Sequence, residues 1–120
     1  MRYLTLELPG AGSAQQLELM MATSTLERMR GLLGRAALGP RQGMLLPHCG
    51  MIHTFGMGYP IDVVYLDRRN RVLKVSPELA PRRMDGHWRA RTVLELAAGS
   101  AAASGIAPGC VLALPEGGGR

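Results

Sequence analysis

Lysine is nearly absent from this chain: thirteen of its 14 basic residues are arginine, and the one lysine is Lys74. Aromatics are as scarce, with one Phe, three Tyr and one Trp. A groove for nucleic acid shows in sequence as clustered basic residues with aromatics between them for stacking. Here the arginines are spread over Arg28, Arg30, Arg35 and Arg41, then Arg68, Arg69 and Arg71, then Arg82, Arg83, Arg89 and Arg91, and no aromatic lies inside a basic run. The net charge of +5 therefore reads as solvated basic surface, with arginine favoured over lysine by codon composition. Nucleic acid is disfavoured as a partner. The segment from Pro81 to Arg89, which contains Trp88, is the best basic-aromatic loop and leaves weak anion binding open.

Cysteine is limited to Cys49 and Cys110, with no C-x-x-C pair to suggest a zinc site or a redox centre. Long apolar runs are missing as well. The longest is Cys110 to Leu114, whereas a membrane-spanning helix needs about 20 apolar residues. The N-terminal Met1 to Glu7 alternates and lacks the apolar stretch of a secretory signal. These absences predict a cytoplasmic protein with reduced cysteines. A length of 120 residues with 47% hydrophobic and 19% charged content fits one globular domain. Its compact part is expected over about residues 2–114, followed by a flexible glycine-rich tail over 115–120.

What is present is mostly strand pattern. Arg2 to Leu8 alternates, with Tyr3 opposite in phase to Leu4, Leu6 and Leu8. A turn over Pro9 to Ser13 leads to a second strand, Gln16 to Ala22. The clearest helix spans about residues 24–34. Ser24 caps it, Glu27 completes a capping box, Leu26, Met29 and Leu33 recur at helical spacing, and Gly34 stops it. Strands follow at Met44 to Leu46, Gly50 to Thr54, Ile61 to Asp67 and Arg71 to Val75, the last two joined by the polar turn Asp67-Arg68-Arg69-Asn70. A loop runs from Pro77 to Arg89. A strand over Arg91 to Ala97 sets Thr92, Leu94 and Leu96 against Arg91, Val93 and Glu95, and Cys110 to Leu114 is the last strand, after a single alanine-rich turn at Ser100 to Ser104. Seven or eight short strands with one α-helix predict a mainly β fold, a small antiparallel barrel or sandwich.

The chemistry-bearing residues concentrate between Gly43 and Asp67. If residues 49 to 57 were extended, Cys49, Met51, His53 and Met57 would share a face and offer the soft ligands that suit Cu(I). Methionine at alternate positions is more often core filling, and no metal or other cofactor is expected. Cys49, His53 and Asp62 hold the residue types of a cysteine-hydrolase triad, but no oxyanion hole or nucleophile elbow marks Cys49. The favoured reading is a structural polar pair. Asp62 opens a strand apolar on both faces, as a central strand is, and its carboxylate needs donors from His53, Thr54 or backbone amides.

Three blocks of residues resemble a known family. Ile52-His53-Thr54-Phe55-Gly56-Met57 followed by Pro60 to Asp67 is similar to the central motif of the domain of unknown function 192 family. Arg30-Gly31-Leu32-Leu33-Gly34-Arg35 with Gly43-Met44-Leu45-Leu46, and Val93 to Gly99 with Gly105-Ile106 and Gly109, are similar to its flanking segments. Cys110 departs from the pattern, which usually has aspartate there. The resemblance covers about residues 16 to 114 and implies a small, mostly β domain with a helix; it supplies no reaction, substrate or cofactor. The residues on the expected β fold predict a non-enzymatic module that binds a small molecule or a protein partner. Its site would comprise His53, Thr54, Met57 and Asp62, with Trp88 as a facing lid. A hydrolase using His53 and Asp62 is the alternative, and a weak Cu(I) site at Cys49, Met51, His53 and Met57 a further one.

Overall fold

A computed structural model describes residues 1–8 and 15–114; the expected turn at Pro9 to Ser13 and the tail over 115–120 lie outside the described residues. The chain is mainly β. Strands β1 (Arg2–Leu8), β2 (Gln15–Met21), β3 (Gln42–Pro47), β5 (Ile61–Leu66), β6 (Val72–Leu79) and β8 (Thr92–Ala97) form a six-stranded sheet in the order β1-β2-β3-β8-β5-β6. Strands β4 (Met51–His53) and β7 (Met84–Gly86) form a separate two-stranded ribbon. The pairing is antiparallel except between β2 and β3, which run parallel. Among the described residues the large sheet does not close, since β1 and β6 are its edges. The barrel alternative is thereby corrected: there are two sheets, but they are unequal.

The alternation in β1 falls as the sequence predicts, with Leu6 and Leu8 buried and Tyr3 exposed. Antiparallel pairing sets Leu6 opposite Leu17 and Leu4 opposite Leu19, so one apolar face runs across both strands. At the centre, every residue of β5 is buried because β8 and β6 flank it and both faces are covered. Val64, Leu66, Leu94 and Leu96 belong to one core cluster; Ile61, Val63, Tyr65 and Val93 belong to the other, with Met44, Leu46 and Ile52. The ribbon's Asp85 ties the second layer to the sheet. It accepts hydrogen bonds from the Tyr65 and Ser76 hydroxyls at 2.6 Å each, and Lys74 pairs with it at 3.2 Å.

Four local expectations need correction. The helix α1 spans only Thr25–Arg30, because Gly31, with φ of 52°, turns the chain out three residues before Gly34. The Ser24 cap is as expected, its hydroxyl accepting the Glu27 amide, but the apolar stripe does not enter the core. Leu26 and Met29 are 78% and 71% exposed, while Leu32, beyond the helix end, is buried. The expected loop after Pro77 contains the end of β6 and all of β7. The expected strand over Cys110 to Leu114 is reduced to one bridge, Arg71 with Val111. The alanine-rich turn is a second short helix, α2 (Ser100–Ala103).

Candidate functional site

Strand β8 places an acidic side chain where the fold has no partner for it. Side chains alternate across a strand, and the register sets Glu95 directly opposite Met44 on β3 and Val63 on β5. That face is covered by Leu32, the β4–β7 ribbon and the chain leaving α1, so Glu95 is 3% exposed and its Oε1 atom has no hydrogen-bond partner. Burial alone pushes its carboxyl from 4.5 up to about 7. Gly31 lets the two elements approach: a Cβ built on it would lie 3.0 Å from Oε1 of Glu95.

Above Glu95 opens a cleft of about 380 Å³. Its walls are α1 and the turn after it, the end of β3, and β4 with the loop that follows. Leu46 and Ile52 are buried in these walls, whereas Met29, Leu33, Met51 and Phe55 keep exposed apolar surface at the rim. Thr25, Arg28, Arg30, His48, Cys49, His53 and Met57 complete the lining. The Cys49 thiol donates to the Met51 carbonyl at 3.2 Å. Burial is the main reason its thiol is pushed up, and Glu95 adds a smaller push the same way. A thiol held protonated is a poor nucleophile and a poor metal ligand. The four soft-ligand candidates, Cys49, Met51, His53 and Met57, do line one cleft. Among the described residues no group of three His, Cys, Asp or Glu side chains is placed to hold a metal ion.

The expected His53–Asp62 constellation does not assemble. Asp62 pairs with Leu96 across β5 and β8, on the opposite face of the sheet from Glu95 and the cleft. Its Oδ1 accepts the amides of Glu78 at 2.8 Å and Gly99 at 3.1 Å, and its Oδ2 accepts the Ala101 amide at 2.9 Å. The Asp62 carboxylate thus caps α2, whose N-cap Gly99 has no side chain to do so. Asp62 is structural, through backbone amides and not through His53, which is exposed beside Phe55. Thr54 is fully buried but holds another segment: its hydroxyl donates to the Ala80 carbonyl at 2.7 Å and accepts the Arg83 amide at 2.8 Å. Trp88 is no lid for this cleft, since it lines a separate groove among arginines. Of the five expected site residues, His53 and Met57 line the cleft. Glu95, which the sequence reading set in phase with Arg91 and Val93 but did not include in the site, is its floor.

The fold and site define a mainly β domain, an open sheet carrying a short two-stranded ribbon, with a cleft of mixed apolar and basic lining floored by an unpaired carboxylate. The family model DUF192, described as "Uncharacterized ACR", matches residues 7–114, and the chain belongs to that family. A protein of unknown function from Novosphingobium aromaticivorans DSM 12444 has a similar structure, with a TM-score of 0.81 and 22% identity over 93% of this chain and 85% of that one. A Sinorhizobium meliloti 1021 protein described as a "putative transcription regulator" is similar at a TM-score of 0.79 and 21% identity, over 93% of this chain and 95% of that one. At these identities the likeness is one of fold. Comparison with curated proteins gave no match. No described helix is long and apolar enough to cross a membrane.

Proposed function

We propose that this protein is a non-enzymatic binding module whose cleft takes a small, largely apolar molecule carrying an amine or another hydrogen-bond donor. The observation that carries this reading is Oε1 of Glu95, buried without a partner at the floor of a cleft whose walls are mostly apolar, with Arg28 and Arg30 among them. A buried unpaired acceptor costs about 1–3 kcal/mol, and a donor brought in by a ligand recovers that cost. Ligand sites commonly combine apolar walls with a few convergent polar groups, at volumes of about 300–1,000 Å³. Methionine-rich walls accommodate varied apolar shapes, and Met29, Met51 and Met57 supply them here. Catalysis is disfavoured, because Cys49 is held as a thiol and Asp62 is engaged elsewhere.

The test uses hexylamine and phenethylamine against hexanol, phenethyl alcohol and hexanoate, followed by amide chemical shifts at pH 7.5. The amines should bind at least tenfold tighter than the matched alcohol and carboxylate, with shifts at Gly31, Cys49 and Glu95. Glu95→Gln should abolish the preference for amine while leaving weak binding of the alcohols. Equal affinities across the three head groups, or an unchanged preference in Glu95→Gln, would remove Glu95 as the anchor.

A further inference from the structure

Five of the arginines scattered along the sequence are gathered at one end of the sheet. Strands β5 and β8 pair antiparallel with Leu66 opposite Thr92. The chain leaving β5 and the chain entering β8 therefore emerge side by side, and the Arg91 amide bonds the Leu66 carbonyl at 2.8 Å. The bridge between Arg71 and Val111 brings in a third segment. Between them lies a groove of about 840 Å³ lined by Arg68, Arg69, Arg71, Arg89, Arg91 and Trp88. All five arginines are exposed, and among the described residues none has a carboxylate within salt-bridge distance. The one acid in the lining, Asp67, has its Oδ1 engaged by the backbone amides of Arg69 and Arg71 at 2.8 and 3.0 Å. Those bonds, with Asn70 in the left-handed region at φ of 62°, fix the turn that carries Arg68 and Arg69.

Trp88 is 89% exposed, an unusual position for the largest apolar side chain. Its two chain neighbours flank the ring: His87 lies parallel to it at 6.3 Å and 11°, and the Arg89 guanidinium is 5.7 Å from its centre. A flat indole on a loop anchored at both ends, ringed by unpaired guanidinium groups, combines a stacking platform with phosphate forks. The carboxylates of an acidic peptide would use the guanidinium groups but not the indole face, which a nucleobase fills.

We propose that this groove binds a single strand of nucleic acid, with the five arginines on the phosphates and one base stacked on Trp88. The site is independent of the cleft above Glu95 and shares no residue with it.

Trp88 is the only tryptophan in the chain, so its fluorescence reports from within the groove. Titration with a twelve-nucleotide oligothymidylate should quench it. Contact with three to five phosphates should give a slope of about −2 to −3.5 in log K against log salt, at roughly 0.7 per contact for single strands. Arg69→Ala combined with Arg91→Ala should weaken binding at least tenfold, whereas Arg2→Ala with Arg41→Ala, away from the groove, should leave it within twofold. Trp88→Ala, followed by anisotropy of a labelled oligonucleotide, should also lose about tenfold, with a thermal transition matching the wild type as the check on folding. Three results would overturn the proposal: no quenching at low salt, a poly-glutamate peptide of equal length binding as tightly as the oligonucleotide, or equal losses from the distant arginine pair.

Discussion

Asp62 on β5 and Ala101 at the start of α2 are 39 residues apart in sequence and joined by a 2.9 Å hydrogen bond from the Ala101 amide to Oδ2. The contact makes a strand carboxylate the cap of a remote helix, and the amides of Gly99 and Glu78 converge on its other oxygen.

Removing that carboxylate should cost more than neutralising it. Asp62→Ala leaves three amides without their acceptor, including the buried Ala101 amide, and should destabilise by about 3 kcal/mol. Asp62→Asn keeps one acceptor oxygen and should cost about half as much. His53→Ala should have little effect, and combined with Asp62→Ala it should be additive, because the two side chains lie on opposite sides of the sheet and share no partner. Urea unfolding of the four proteins is the measurement; a coupling above about 1 kcal/mol between the two positions would contradict this arrangement.

Glu95 should make stability fall as pH rises. Its carboxyl titrates near 4.5 when unfolded and at about 7 when folded, so the folded state holds the proton more tightly. Below about pH 4.5 the group is neutral in both states and carries no pH-dependent penalty. The penalty grows between 4.5 and 7 and is complete above 7, at roughly 3 kcal/mol by linkage. Glu27 and Asp85 act in the opposite sense, since their bonded carboxylates titrate below the usual range. The difference between wild type and Glu95→Gln isolates the effect. In denaturant unfolding from pH 4.5 to 8, the variant should gain relative to wild type across that window; a constant difference would show that Glu95 is solvated.

Gly31→Ala should destabilise and perturb the cleft together. The backbone there has φ of 52°, which side chains rarely adopt, and the new methyl group would lie 3.0 Å from Oε1 of Glu95. A cost of about 1–3 kcal/mol is expected, with amide shifts at Glu95 and Cys49 in the folded spectrum. A variant as stable as wild type, with those shifts unchanged, would show that α1 and β8 are not packed through this glycine.

Local pattern carried the frame of this protein. Alternation placed Leu6 and Leu8 inside and Tyr3 outside, the run of β5, apolar on both faces apart from Asp62, marked a central strand, and Ser24 with Glu27 marked the start of α1. Each rests on neighbours within a few residues, which is the range over which side-chain period and capping act. The same range misled at the end of α1, where helical spacing continues to Leu33 but Gly31 ends the helix after Arg30. It also misled at Cys110 to Leu114, where an apolar run makes only one bridge.

The chemistry lies beyond that range. Strand period alone puts Glu95 in phase with Val93; it became a buried, unpaired acid only because Leu32 and the β4–β7 ribbon cover that face. Asp62 needed donors, but the nearest candidates in sequence, His53 and Thr54, were the wrong ones, because pairing β5 with β8 aims its carboxylate at α2. Five arginines from two separate runs share one groove for the same reason: antiparallel pairing brings the end of one strand beside the start of the other. Sequence specifies which segments form strands, whereas the order and direction in which those strands pair decide which side chains meet.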